Sequence, residues 1–198
     1  ITAISAVLGF VLGVLLSLIK ISKCRPLNWF GTFYTSIFRG TPLLVQLCIV
    51  HFGLPQLTGM TLTTMQSGVL TFSLNSAAYI SEIFRGGING VDKGQYEAAM
   101  SLGVGYRDMM KDIILPQAVK HILPSLVNEA ISLLKESSIL SYIGAMELLR
   151  AADQITVLTF RFFEPYLVIA VIYYILVMIL SMVASRLERW VNRSDRVS

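Results

Sequence analysis

The chain has 198 residues, 55% of them hydrophobic and only 14% charged, with a net charge of +4 and a mean hydropathy of +0.68. A soluble globular domain carries about 25% charged residues, so this deficit excludes an ordinary soluble enzyme or binding module and implies a polytopic membrane protein. Cys24 lies in a basic loop and Cys48 inside an apolar run, which excludes both a disulfide framework and a cysteine metal cluster.

The run from Ile1 to Ile19 has no charge. No basic leader region precedes it, so the Ile start is expected to mark a fragment without a cleavable signal. Gly40 to Ser81 is uncharged and long enough for two crossings of about 20 residues each. Ile122 to Ile143 is apolar apart from Glu129, Lys135 and Glu136, and Tyr166 to Ser185 is a further uncharged run. The pattern predicts an all-α, single-domain membrane protein filling residues 1–198. Five transmembrane helices are expected at roughly 1–19, 30–52, 63–84, 122–143 and 165–186, with a polar loop at about 86–118. Pro124 suits a first-turn proline of the fourth span, and Trp29 and Trp190 suit interfacial anchors. His51 and His121 read as hydrogen-bonded fillers of the helix ends.

Orientation follows from the basic residues. Lys20, Lys23 and Arg25 follow the first span; Arg85, Lys93, Arg107, Lys111 and Lys120 lie between the third and fourth; Arg186, Arg189, Arg193 and Arg196 follow the fifth. The opposite side carries only Arg150 and Arg161. The positive-inside rule therefore predicts the N-terminus out, the C-terminus in and the 86–118 loop in the cytoplasm. The basicity is topological and calls for no nucleic-acid partner.

That loop has its own logic. Asp92 can cap a helix, with Gln95 answering it in a capping-box arrangement. Ala98, Ala99 and Leu102 then share one face by the three- and four-residue rule, and Gly103 suits a left-handed stop. A second amphipathic piece, Tyr106 to Leu115, is expected to stop at Pro116. Among the spans, Gly40 and Pro42 break or bend a helix, which lipid tolerates only where neighbours or water satisfy the freed backbone groups. Arg39 suits an interfacial or helix-capping role. Glu129, Lys135 and Glu136 sit where charge is expensive and should face protein or a water-filled path. Lys135 and Glu136, adjacent in sequence, cannot pair on one helix face, so each needs another partner or the helix unwinds there.

Glu97-Ala98-Ala99, Gly103 and Ile113-x-Leu115-Pro116 together resemble the EAA loop of bacterial ABC-import permeases. Phe38 to Leu44 (FRGTPLL), Ala78 to Ile88 (AYISEIFRGGI), Ile114 to Ala118 (ILPQA) and Leu134 to Ser138 (LKESS) resemble blocks of the polar-amino-acid permeases of the histidine, glutamine and arginine uptake type. The resemblance implies a type I importer permease. Its coupling helix, carrying Glu97, Ala98, Ala99, Leu102 and Gly103, would dock on a separate ATPase. It further implies a second permease subunit, an extracytoplasmic amino-acid-binding protein, and ATP and Mg held by the ATPase, with no cofactor in this chain. It places a substrate site near the membrane middle, for which Asp153, Glu147, Glu136, Glu82 and Asn75 are the candidates. Asp153 stands where that family usually has Gln, and lacks an obvious local partner. Glu147 and Arg150 could pair on a short helix.

No GxxxxGK[ST], HExxH or GxSxG run occurs, so nucleotide binding and the common hydrolase chemistries have no equipment here. Two rivals remain. A methionine-type permease also has five spans, but lacks the FRGTPLL and AYISEIFRGG blocks. An ion-gradient-driven carrier could use the fourth-span carboxylates but leaves the EAA segment unexplained.

Overall fold

The computed structural model describes residues 1–22 and 24–191, without the side chains of 188, 190 and 191. The Trp190 side chain and the basic residues Lys23, Arg193 and Arg196 lie outside the described residues. Every regular element among the described residues is helical.

Helix α1 (Thr2–Ile21) buries Ser5, Gly9, Gly13 and Ser17, spaced four apart and so on one face, and packs along α5 (Thr64–Asn89). A Cβ on Gly9 would stand 2.9 Å from the Cβ of Ser76, and one on Gly13 would stand 2.6 Å from Ile80 Cγ2. Small side chains here let the two backbones approach closely, the usual way helices associate where lipid removes the hydrophobic drive between them. A Thr63–Gln66 capping box starts α5, which also packs on α2, α3 and α8 and forms the centre of the bundle.

The expected second span, 30–52, is not one straight helix. Helix α2 (Arg25–Gly40) and the segment Leu43–Thr58 meet at a bend of 104°. That segment comprises α3 (Leu43–Cys48), a wide π-helical turn (Ile49–Gly53) and α4 (Leu54–Thr58). The cause is local: Thr41 before Pro42 is extended, as a residue preceding proline prefers, and Pro42 has no N–H to continue α2. The break is closed by side chains. Gln46 donates from Nε2 to the carbonyls of Phe38 (2.9 Å) and Thr41 (3.1 Å), while Asn75 Nδ2 donates to the Phe38 carbonyl (3.1 Å) and to Gln46 Oε1 (2.9 Å). Freed carbonyls are thereby satisfied without water.

After α5 come α6 (Lys93–Ser101), the short α7 (Tyr106–Asp108), a wide turn (Met109–Ile114) and α8 (Leu115–Glu136). Pro116 does not stop the helix that begins at Tyr106. It sits in the first turn of α8, directly after the wide turn, where its missing donor is accommodated. The fourth apolar stretch therefore begins earlier than 122, and Pro124 lies inside α8 instead of in its first turn. The expected loop at 86–118 includes the last turn of α5 and the first of α8. At Ser137 the α-helix tightens into a 3-10 stretch (Ser137–Ile143); the chain does not unwind at Lys135 and Glu136, which stay in α8, the first exposed and the second half-buried. Ser137 and Ser138 hydroxyls donate to the carbonyls of Leu134 (2.7 Å) and Lys135 (2.9 Å) there. Helices α9 (Leu148–Thr159) and α10 (Phe163–Val191) complete the fold.

Two apolar clusters hold it. Leu47, Phe72, Leu133, Leu140 and Ile143 join α3, α5, α8 and the 3-10 stretch; Val91, Ala99, Met109, Ile114, Ala118 and Ile122 underlie the α5–α8 connection. Among the described residues two helices, Thr2–Ile21 and Phe163–Leu187, are long and apolar enough to cross a membrane, or three spans if the bent pair is one. Helices α5 and α8 have 26 and 22 residues, long enough to cross, but carry too many polar side chains to stand alone in lipid.

Candidate functional site

The connection between α5 and α8 is built to present one short helix. Asp92 starts α6 by accepting from the Gly94 N–H (2.6 Å); the capping box with Gln95 does not form, because the Gln95 side chain accepts instead from Gln117 Nε2 (3.3 Å). The helix ends in a Schellman motif. Gly103 takes φ +73°, its N–H donating to the Met100 carbonyl (3.0 Å) and the Val104 N–H to the Ala99 carbonyl (3.0 Å). Ala98, Ala99 and Leu102 do not share one face. Ala99 is 3% exposed and belongs to the apolar cluster beneath, whereas Leu102 is 82% exposed, and Glu97 and Ala98 are exposed with it. Gly103 has open space beside its α-carbon, so its requirement is conformational and not steric. The result is a seated helix whose outer residues Glu97, Ala98, Met100 and Leu102 are exposed among the described residues.

The acidic candidates fall in three places. Glu147 is the N-cap of α9, accepting from the Arg150 backbone N–H (2.7 Å), and the Tyr173 hydroxyl donates to its other oxygen (3.2 Å). The expected side-chain pairing with Arg150 is thus replaced by a cap. Asp153 does have a partner: the Tyr166 hydroxyl donates to its Oδ1 (2.9 Å), a contact invisible in sequence because thirteen residues separate the two. Two tyrosines of α10 therefore hold two carboxylates of the α9 end. Glu136, half-buried, lies at the end of α8, where the helix changes form. Glu82 is elsewhere, at the Lys20 end of α1, engaged by Lys20, Arg85 and Arg39. Asn75, 4% exposed, is committed to the α2–α3 break.

Sequence reasoning missed Gln46 and the small-residue seam of α1. The seam was readable as Ser5-x3-Gly9-x3-Gly13-x3-Ser17; the role of Gln46 was not, since it depends on a three-dimensional break. Glu129, expected to face protein, accepts from the Ser76 hydroxyl (2.8 Å), and His51 Nδ1 meets Ser67 Oγ (2.8 Å).

The described residues form a multi-helix apolar bundle with a seated, outward-facing helix on one connection, and comparison with known proteins gives the family. Residues 8–194 match the binding-protein-dependent transport system inner membrane component family, and the chain belongs to it. It is 51% identical over 195 residues to the arginine transport system permease protein ArtQ of Bacillus subtilis (strain 168), covering 98% of this chain and 89% of that one. A putative glutamine transport system permease protein, GlnP of Rickettsia felis, is 50% identical over 188 residues (95% and 86% covered). Among solved structures, one described as an amino acid ABC transporter with histidines superposes with a TM-score of 0.89 at 44% identity, covering 95% of this chain and 87% of that one. The MetNI methionine ABC transporter, inward facing, shares the fold alone, with a TM-score of 0.75 at 21% identity and coverage of 97% and 91%. The chain is thus an all-α, multi-pass membrane permease subunit of the type I importer fold.

Proposed function

We propose that the chain imports a polar amino acid as half of a two-subunit pathway, driven by a separate ABC ATPase that binds ATP and Mg and loaded by an extracytoplasmic binding protein. The observation that carries this reading is α6. Its inner residue Ala99 is buried in the chain's own core while Leu102, Ala98 and Glu97 are exposed among the described residues, as a docking element requires. ATP binding would draw two such helices together, and a helix whose Ala99 is seated on five other buried apolar residues would transmit that motion to α5 and α8 as a rigid-body rotation. Five crossings, the second completed beyond the bend by Leu43–Thr58, with the N-terminus out and α6 in the cytoplasm, would fit the twelve-to-two asymmetry of basic residues. The chain itself performs no covalent chemistry.

The relatives' names, arginine and glutamine permeases, support a polar amino acid. Asp153 in α9 and Glu147 at its N-cap favour a cationic one, since a carboxylate at the mouth of a path concentrates positive side chains. Glu136 is the next acidic candidate along the chain. Glu82 and Asn75 would act from the structural networks that already hold them.

Reconstitution tests the reading. Vesicles holding this chain, its ATPase and the binding protein should take up arginine only with ATP inside. Uptake by the chain alone, driven by a sodium or proton gradient, would replace the importer with a carrier. Single cysteines at Thr58 and Arg107, in a background without Cys24 and Cys48, should label from opposite sides of the membrane. Labelling of both by one impermeant outside reagent would overturn the five-span arrangement.

A further inference from the structure

Helix α2 divides cleanly into two faces. Arg25, Asn28, Thr32, Thr35, Ser36 and Arg39 recur at three- and four-residue steps, while Trp29, Phe30, Phe33 and Ile37 lie opposite and exposed. Trp29 is 67% exposed and stacks on Phe33, ring centroids 5.3 Å apart at 6°. The helix ends at the 104° bend, so a crossing by this part of the chain is completed by Leu43–Thr58.

Behind its polar face is a cleft of about 660 Å³, closed on the far side by the ends of α1 and α5. Glu82 stands in it among three cations. Lys20 Nζ contacts its Oε1 and also donates to Thr35 Oγ1 (3.1 Å); Arg85 donates twice to Oε2 (2.6 and 3.0 Å); Arg39 lies 3.5 Å from Oε2 and over the Tyr79 ring (5.5 Å). One carboxylate against three cations leaves an excess of two positive charges. Both arginines line the cleft and remain about half exposed, at 45% and 53%. The Thr32 hydroxyl and the Asn28 amide donate to the carbonyls of Asn28 and Lys20, which leaves the two guanidinium groups, with the Ser36 hydroxyl beside them, as the donors that suit a phosphate oxygen cluster.

We propose that this cleft binds the phosphate headgroup of an anionic phospholipid, with Arg39 and Arg85 on the phosphate. Basic pockets between membrane helices take such headgroups, and the lipid would brace α2 and the α2–α3 break against the ends of α1 and α5. The inference rests on the family's membrane location and not on the coupling or substrate readings. A failure of ATPase docking or of arginine transport therefore leaves it untouched.

The test is native mass spectrometry of the intact transporter in micelles containing equal phosphatidylglycerol and phosphatidylcholine. Phosphatidylglycerol should be retained selectively, and retention should fall as salt rises from about 0.05 to 0.5 M. The double variant R39Q/R85Q should lose roughly 20- to 30-fold in retention, and R39K/R85K should keep most of it. The salt series uses the native protein, so it decides the matter even if a variant folds poorly. Equal retention of both lipids by the native protein, or full retention by R39Q/R85Q, overturns the proposal. Displacement of phosphatidylglycerol by a few millimolar inorganic phosphate, with no such effect of sulfate-free chloride at equal ionic strength, would assign the cleft to free phosphate and overturn the lipid source.

Discussion

The two working ends of the molecule present short helices of similar length by opposite means. Helix α6 is seated from below: Ala99, Val91, Met109 and Ile114 form an apolar floor, and a Schellman turn fixes its end. Helix α9 is held from the side: Tyr166 and Tyr173 of α10 hydrogen-bond to Asp153 and Glu147, and Ala152 and Thr156 are its buried positions. An apolar floor of this kind tolerates no charge and moves as one body with what lies above it. Polar bonds of about 1 kcal/mol each can be exchanged for a ligand. On the proposed function, α6 would transmit force and α9 would take part in recognition.

The hardest blow to that comparison falls at α6. Ala99→Asp buries an unpaired carboxylate among apolar neighbours and should cost roughly 3 kcal/mol or more, lowering the yield of folded protein. Leu102→Asp, three residues on and 82% exposed, should leave thermal stability within about 0.5 kcal/mol while abolishing co-purification of the ATPase and ATP-driven uptake. Glu97→Lys should act like Leu102→Asp. Equal stability losses for Ala99→Asp and Leu102→Asp would mean that α6 has no free face, and normal uptake by Leu102→Asp and Glu97→Lys would reduce it to an ordinary surface helix.

A smaller loss is expected one residue beyond. Gly103 holds φ +73° with nothing within 4 Å of an added Cβ, so Gly103→Val pays for backbone conformation only, about 1–2 kcal/mol. It should uncouple ATP hydrolysis from transport more than it destabilises the protein. Gly103→Asn, which tolerates the left-handed region, should restore coupling. ATPase activity per transported substrate, measured in the same vesicles, reads the difference.

What the sequence disclosed and withheld follows the same division. The α6 motif was legible because capping, the glycine stop and the EAA spacing are all local. The inward turn of Ala99 was not, since adjacent alanines differ only in what lies beneath them. The bend at Thr41–Pro42 was signalled by its proline, but its closure by Gln46 and Asn75 joins residues 29 positions apart. Pro116 and Pro124 read as a stop and a start, and both fall within a continuous helical path because a wide turn absorbs the first. Partners of Asp153 and Glu147 lie on another helix, which single-chain spacing cannot reach.

At the α9 end the expected effects are of affinity. Asp153→Asn keeps the shape and the Tyr166 contact but removes the charge. Apparent affinity for arginine should fall roughly ten- to a hundredfold, with little change for glutamine, measured with the binding protein saturated. An equal loss for both substrates would make the residue structural.

Tyr166→Phe is the gentlest probe, because it deletes one hydroxyl and leaves the ring. The Tyr166 hydroxyl donates to Asp153 at 2.9 Å, so in the resting protein it competes with any cationic substrate for that carboxylate. Removing it should release Asp153, raise the apparent affinity for arginine by up to about fivefold and leave that for glutamine unchanged. Tyr173→Phe acts on Glu147, whose other oxygen remains engaged in capping α9 through the Arg150 N–H, so its gain should be smaller. The combination of Tyr166→Phe with Asp153→Asn distinguishes competition from positioning. If the tyrosine merely competes, its effect vanishes once the carboxylate has become an amide. If it positions α9 against α10, it should lower the affinity for arginine and glutamine alike, in the native background and in Asp153→Asn. A loss of arginine affinity in the single variant Tyr166→Phe would therefore transfer the α9 end from recognition to mechanical support, and with it would go the contrast with α6.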